Sequence, residues 1–473
     1  MENPCQTGSV SSDRLLPRAR PTDVGVDPRG VHAFLDGVAR RGITLHGLRL
    51  VRHGRVFAEA SWTPHRPEHA PLVYSLSKTF CSAAVGIAVA DGSFGYDDRL
   101  VDLFGDVVDA AGPVASRIRV RDCLAMATGH TRDDLFAPRL ARLPGRQPWR
   151  TALAVEPEGA PGATFCYNQF ATWTLAEVVR HATGRTVHEL LVDRVFGRLG
   201  ITGTSWDADP AGRLMGFTGL HIPIEGLARF VQLLLDDGVA DGERLLPVEW
   251  VARHRHRHVD TAGWTDNPDW AQGYGWQVWL DTRGGYRGDG AFGQFGVVMP
   301  AQDAVVVITA STERMQEVLD EVWASLLPAF DRDGDGDDAL AERLASAALP
   351  TVWGERGGPV GLAFENRTNR WRLVDDAEGW VLRWVDQYGG DHRIPVGFGE
   401  WRSGRLAWGD RRLDVAASGA WVGWGHWVGH VVVADAPHGL LVRLRDDGSG
   451  RTEWVGSKPL GTDSLHGLAV VRG

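Results

Sequence analysis

The sequence predicts a mixed α/β (α+β) protein followed by an all-β domain, and three observations carry that expectation. Strand patterns lie at both ends of the first 330 residues with helical patterns between them, so sequence-distant strands must meet in one sheet with helices on its faces. Residues 331–338, DRDGDGDD, are acidic and glycine-broken and read as a linker. Beyond about residue 350 the texture changes, and ten of the 20 tryptophans fall there in short alternating runs such as WRLVDD, WVLRWV and HVVVAD. Such runs, separated by Gly, Asp and Asn turns, suggest a barrel or sandwich of roughly seven or eight strands. The expected organisation is a tail at 1–21, a first domain at 22–330, a linker at 331–350 and an all-β domain at 351–473.

Each element has its own reason. Residues 22–43 place Val31, Phe34, Leu35 and Val38 at helical spacing. The segment 46–62 alternates and turns at His53-Gly54, as a β-hairpin does. From Ser75 onward Phe80, Ala83, Ala84, Ile87 and Ala88 recur with a helical period, and Gly92 ends the run. Helical patterns continue at 172–184, 187–200 and 224–238. Strand signals return at 273–282, 293–300 and 303–311, and a helix follows at 312–327. The chain of 473 residues is long enough to bury a large core without disulfides or metals.

Composition excludes several functions. A net charge of −10, with basic residues dispersed, argues against a nucleic-acid partner. No apolar run reaches the ~18 residues a membrane helix requires. The first 21 residues lack the apolar core of a secretory signal, and the 4 cysteines are widely spaced with no CxxC pair. A cytoplasmic protein with reduced thiols and no cofactor is the expectation. Of the 50 basic side chains only Lys78 and Lys458 are lysines. Arginine does not give up its proton in a protein, whereas a desolvated lysine does, so the lysine at 78 is a candidate base.

The chemistry-bearing residues fall in three groups. Ser75-Leu76-Ser77-Lys78 opens a helix, and residues three apart share a helix face, so the hydroxyl can sit beside the amine. A buried amine of lowered pKa can take that proton and create a nucleophile. The alternative is a capping serine with an incidental lysine. Tyr167-Asn168-Gln169 precedes a second helix; a tyrosine there can relay a proton, and a carboxamide can hold a substrate carbonyl or orient the lysine. Gly288-Asp289-Gly290-Ala291 leads into a strand, where glycines let a substrate approach the backbone closely.

In this order and spacing the three groups resemble the serine β-lactamase/penicillin-binding-protein superfamily, in its class C-like branch of esterases, peptidases and acyltransferases. The likeness spans roughly residues 22–330 and includes RVRDCLAMATGH at 119–130 and RVFGRLGITGTSW at 194–206. It implies an antiparallel sheet flanked by helices. It further implies Ser75 as the nucleophile, Lys78 and Tyr167 as proton carriers and the backbone N–H groups of Ser75 and Ala291 as an oxyanion hole. Asn168, Gln169, Asp289 and Gly290 would then line the substrate.

Two places depart from the family pattern. Gln169 stands where Tyr-x-Asn has its asparagine, and Gly288-Asp289-Gly290 stands where Lys-Thr-Gly or His-x-Gly is usual. The cation that would bind a substrate carboxylate is missing, and Asp289 would repel one. Tyr167 would then depend chiefly on Lys78 for its pKa. This favours an esterase or amidase over a β-lactamase, acting on a small-molecule or peptide acyl substrate. An acyltransferase or peptide-cyclising thioesterase of penicillin-binding-protein type, and a non-catalytic binding or sensor protein, are the alternatives.

Weaker signals have plainer readings. Residues 331–342 fit the EF-hand calcium pattern, yet Pro328 interrupts the entering helix and acidic linkers produce such matches. The histidines at 254, 256 and 258 would share a face only if extended, and a solvated loop is the expectation. His130 reads as structural and Cys166 as a packed thiol.

Overall fold

The computed structural model describes residues 15–105, 111–133, 147–365, 369–377, 379–423 and 425–471. Most of the expected N-terminal tail lies outside these residues. The first helix, α1, runs Pro28–Arg40: Asp27 caps it by accepting a hydrogen bond from the Arg29 N–H at 2.9 Å, and Val31, Phe34, Leu35 and Val38 are buried. It begins later than expected because a 3₁₀ turn at Thr22–Val24 ends at Gly25 with φ 68°. Strands β1 (Thr44–Arg52) and β2 (Arg55–Ser61) form the hairpin, and its turn residues His53 and Gly54 are both left-handed, at φ 52° and 68°. Both central residues of a type I′ turn need that conformation.

Helix α2, Ser77–Ala90, follows a 3₁₀ turn at Tyr74–Leu76 and is buried from Ser77 to Ala88, so it is the central helix of its unit. Phe80 stacks on Phe230 at 3.8 Å, and Ser82 accepts a hydrogen bond from the Trp250 indole at 3.0 Å. Around it lie α3 (Gln169–Thr183, closed by Gly184 at φ 70°) and α4 (Ile224–Leu235). The pattern at 187–200 forms Val187–Leu191 and a π turn, Val192–Phe196, and ends at Gly200.

Strands β3 (Trp279–Leu280), β4 (Tyr286–Gly290), β5 (Gln294–Met299) and β6 (Ala304–Ser311) complete a six-stranded sheet of order β2-β1-β6-β5-β4-β3. Pairs β3–β4 and β4–β5 are antiparallel, with Trp279 opposite Arg287 and Gly290 opposite Gln294. Of the strand expected at 273–282 only Trp279–Leu280 forms. Gln277 stands at φ 62°, and its side chain is spent on the Cys123 and Leu124 carbonyls (both 2.9 Å) and the Thr172 hydroxyl (2.8 Å). That anchor breaks the strand.

The expected linker is also different. Asp337–Ala345 forms helix α5 with Leu340 and Leu344 buried, and the Thr22 hydroxyl donates a hydrogen bond to Asp337. Beyond it stand two antiparallel sheets, one of four strands between Ala363 and Pro395, the other of six between Arg402 and Val471. That makes ten strands among the described residues, more than the alternation suggested. Trp371 and Trp384, opposite each other on paired strands, stack at 5.4 Å, and Trp380 meets Trp427 edge-on across the two sheets at 6.2 Å. These tryptophans fill the interior.

The chain makes two compact units that do not follow the continuous division read from the sequence. One comprises 1–20, 49–57 and 73–307; the other 21–48, 58–72 and 308–473. The second unit gathers early segments because they bond within it: Thr63 bridges Ala348, and the Leu72 N–H donates to the Asp435 carbonyl at 2.8 Å. Among the described residues no helix is long and apolar enough to cross a membrane.

Candidate active site

Ser75 lies in the 3₁₀ turn ahead of α2, half-exposed, between buried neighbours. Tyr74 before it is left-handed at φ 49°, a costly conformation for an aromatic residue that its surroundings must enforce. The Ser77 hydroxyl donates to the Tyr74 carbonyl at 2.5 Å and accepts from the Leu220 N–H at 3.0 Å. The Val73 N–H donates to the Leu220 carbonyl at 3.0 Å, and the Tyr74 ring meets Phe292 edge-on at 5.1 Å. The serine is held on a braced turn.

Lys78 is 1 % exposed and reaches back along the helix. Its Nζ donates to Ser75 Oγ at 3.0 Å, Gln169 Oε1 at 2.7 Å and the Phe217 carbonyl at 2.8 Å. Burial brings its pKa down to about 7, although the Asp133 charge pulls the other way. An amine near neutrality, hydrogen-bonded to a hydroxyl, can remove that hydroxyl's proton.

The Tyr167 hydroxyl hydrogen-bonds Ser75, and its ring lies 4.9 Å from Lys78 Nζ. Burial pushes the phenol above its usual pKa, and the charges of Asp289 and Asp133 add to the rise. The expectation that Lys78 would chiefly tune this phenol is therefore corrected: burial dominates, the Ser75 hydrogen bond opposes it, the two carboxylates add to the rise, and Tyr167 stands as a neutral donor. Asn168 is 2 % exposed and caps α3, accepting from the Ala171 N–H at 2.9 Å and donating to the Cys166 carbonyl at 2.8 Å. Its amide is spent inside the protein, and the expected substrate contact is withdrawn for it. Gln169, half-exposed, is the carboxamide that meets Lys78.

The third group lies at the end of β4. A methyl at Gly290 would stand 2.0 Å from the Val73 carbonyl oxygen, and one at Gly288 would strike Leu76 and Thr79, so only glycine lets this strand lie against the serine turn. Ala291 follows, half-exposed. Asp289 is 7 % exposed; its Oδ2 accepts from Arg287 Nε at 3.1 Å, and burial raises its pKa to about 6 against the opposing pull of Arg287. Arg287 is a cation of the third group, yet it is fully buried and turned onto Asp289.

The residues that sequence reading missed are chiefly aromatic. Tyr167 stacks on Trp279 at 5.6 Å, with Trp264, Tyr274 and Phe165 around it and Trp270 against Trp279. Trp264 is 46 % exposed and lies at the rim. These residues lie between the second and third groups, where aromatic content was the only signal available. The Phe217 carbonyl that holds Lys78 carries no sequence signal, since every residue has one.

No group of three or more metal-ligating side chains converges among the described residues. The histidine run is partly helical, Val248–His254, and His254 is buried and stacked on Trp250 at 4.5 Å. Cys81, Cys123 and Cys166 are free and buried.

Comparison with known proteins yields consistent matches. The family described as Beta-lactamase matches residues 32–327. The 6-aminohexanoate-dimer hydrolase of Paenarthrobacter ureafaciens is 25% identical over 285 residues, 55% of this chain and 71% of its own. Among solved structures, EstCE1, a hydrolase with promiscuous acyltransferase activity, is 18% identical at TM-score 0.52, over 63% of this chain and 98% of its own. SurE with D-Leu is 16% identical at TM-score 0.51, over 88% of this chain and 98% of its own.

Proposed function

The chain belongs to the Beta-lactamase family, and on that premise we propose that it is a serine hydrolase cleaving an ester or amide bond through an acyl-Ser75 intermediate. The observation that carries this reading is Lys78 Nζ at 3.0 Å from Ser75 Oγ, with its pKa brought to about 7. Neutral Lys78 takes the Ser75 proton as Oγ attacks the substrate carbonyl. The backbone N–H groups of Ser75 and Ala291 receive the developing oxyanion. Tyr167, kept protonated by its surroundings, donates to the leaving group as the scissile bond breaks, and the Lys78 ammonium returns a proton to it. Water then attacks the acyl-serine with the same groups acting in reverse. Gln169 and the Phe217 carbonyl position the lysine. A reducing, cytoplasmic setting fits the three free thiols.

An activated ester or fluorophosphonate is expected to add one equivalent to the wild-type protein and none to Ser75→Ala, read by intact mass. An adduct equal in both, or absent from both, would sink the mechanism. Acyl transfer to an amine is the second reading, favoured by the exposed Trp264 beside Tyr167, an apolar surface next to the phenol that handles the leaving-group proton. Amines added during ester turnover would yield amide under that reading and leave only free acid under the first.

A further inference from the structure

Along β4 successive side chains face opposite ways. Tyr286 donates its hydroxyl to the Leu234 carbonyl of α4 at 2.9 Å, and Gly288 faces Leu76 and Thr79, so the even positions face the helices. Arg287 and Asp289 face the other side. There Arg287 lies 4.9 Å from the Trp270 ring, and the charge of Asp289 is felt by Tyr167 and Tyr274. Asp289 takes a further side-chain hydrogen bond from Trp270, yet its buried Oδ1 has no partner of full hydrogen-bond geometry, and an acceptor left so costs free energy unless a donor completes it. Three carboxylates, Asp133, Asp269 and Asp289, bear on the site, and Arg287 is bonded to Asp289 and to the Asp269 carbonyl at 3.0 Å.

We propose that the Asp289 carboxylate, with the aromatic wall of Trp264, Trp270 and Trp279, forms a subsite for a positively charged ammonium group of the substrate. A carboxylate that completes the ammonium's hydrogen bonds, beside aromatic faces that attract its charge, is the chemistry such a group selects. The preferred substrates are then esters or amides bearing a primary ammonium, in place of the carboxylate-bearing substrates that a cation in the third group would serve. This rests on the acyl-Ser75 reading, since the subsite adjoins Tyr167, the phenol that hydrogen-bonds that serine.

The test measures the rate of fluorophosphonate labelling of Ser75 in the presence of phenethylammonium or 3-phenylpropanoate, which are similar in shape and opposite in charge. Phenethylammonium is expected to slow labelling about tenfold more than 3-phenylpropanoate at equal concentration, and Asp289→Asn to erase the difference. Where that variant does not fold because Arg287 is left buried and unpaired, Arg287→Gln/Asp289→Asn removes both charges and gives the same readout. Equal protection by the two ions in the wild type, or stronger protection by the carboxylate, overturns the subsite while leaving acylation intact. A protein that never labels overturns the acyl-Ser75 reading and the subsite with it.

Discussion

At the scale of single residues, Lys78 carries the sharpest consequences. It acts only when neutral, so kcat/KM is expected to rise with pH through about 7 and level off above it, and Lys78→Arg to lose nearly all turnover. The same shift bears on stability. Its pKa falls from 10.5 to about 7 on folding, so between those values the unfolded chain binds the extra proton and stability rises with pH. Below pH 7 the cost is full, roughly 5 kcal/mol. Lys78→Met is therefore expected to be inactive yet more stable at pH 6, with an advantage that shrinks towards pH 10 in urea unfolding. Ser75 and Lys78 were legible in the sequence because their spacing is a local property of a helix. Asp289 was legible as an anomaly, while its bond to Arg287 depended on which way a strand faces.

At the scale of elements, the site depends on two joints. One is the cap of α3: Asn168→Ala is expected to lower stability by about 1 kcal/mol, as lost N-caps do, while Ser75 still labels. Asn168 and Gln169 could not be told apart in the sequence, because either amide can cap or bind. The helix start decides, turning the first inward and the second towards Lys78. The other joint is β4 against the serine turn. Gly290→Ala must push back the Val73 carbonyl, so a loss of about 2 kcal/mol in stability and of most labelling is expected. Longer-range joints were hidden. Gln277 breaks an alternating pattern by bonding the carbonyls of residues distant in sequence, and helix α5 occupies a stretch whose composition reads as a linker.

At the scale of the whole molecule, the change of texture near residue 350 coincides with the start of the tryptophan-rich sheets, while the compact units divide the chain elsewhere. Residues 21–48 and 58–72 belong with 308–473, a grouping set by contacts that no local pattern records. A chain ending at residue 350 would strip those segments of partners such as Asp435, the acceptor for Leu72. It is expected to bind a hydrophobic dye and give far less soluble protein than the full chain.

The near absence of lysine also makes the molecule unusually transparent to magnetic resonance. Protein grown on lysine carrying ¹³C and ¹⁵N in its side chain would show only two such spin systems. Lys458, paired with Asp463 at 2.6 Å on the surface, serves as the internal reference. The other is the buried amine itself, so its proton could be followed, with and without a bound acyl group, free of overlap.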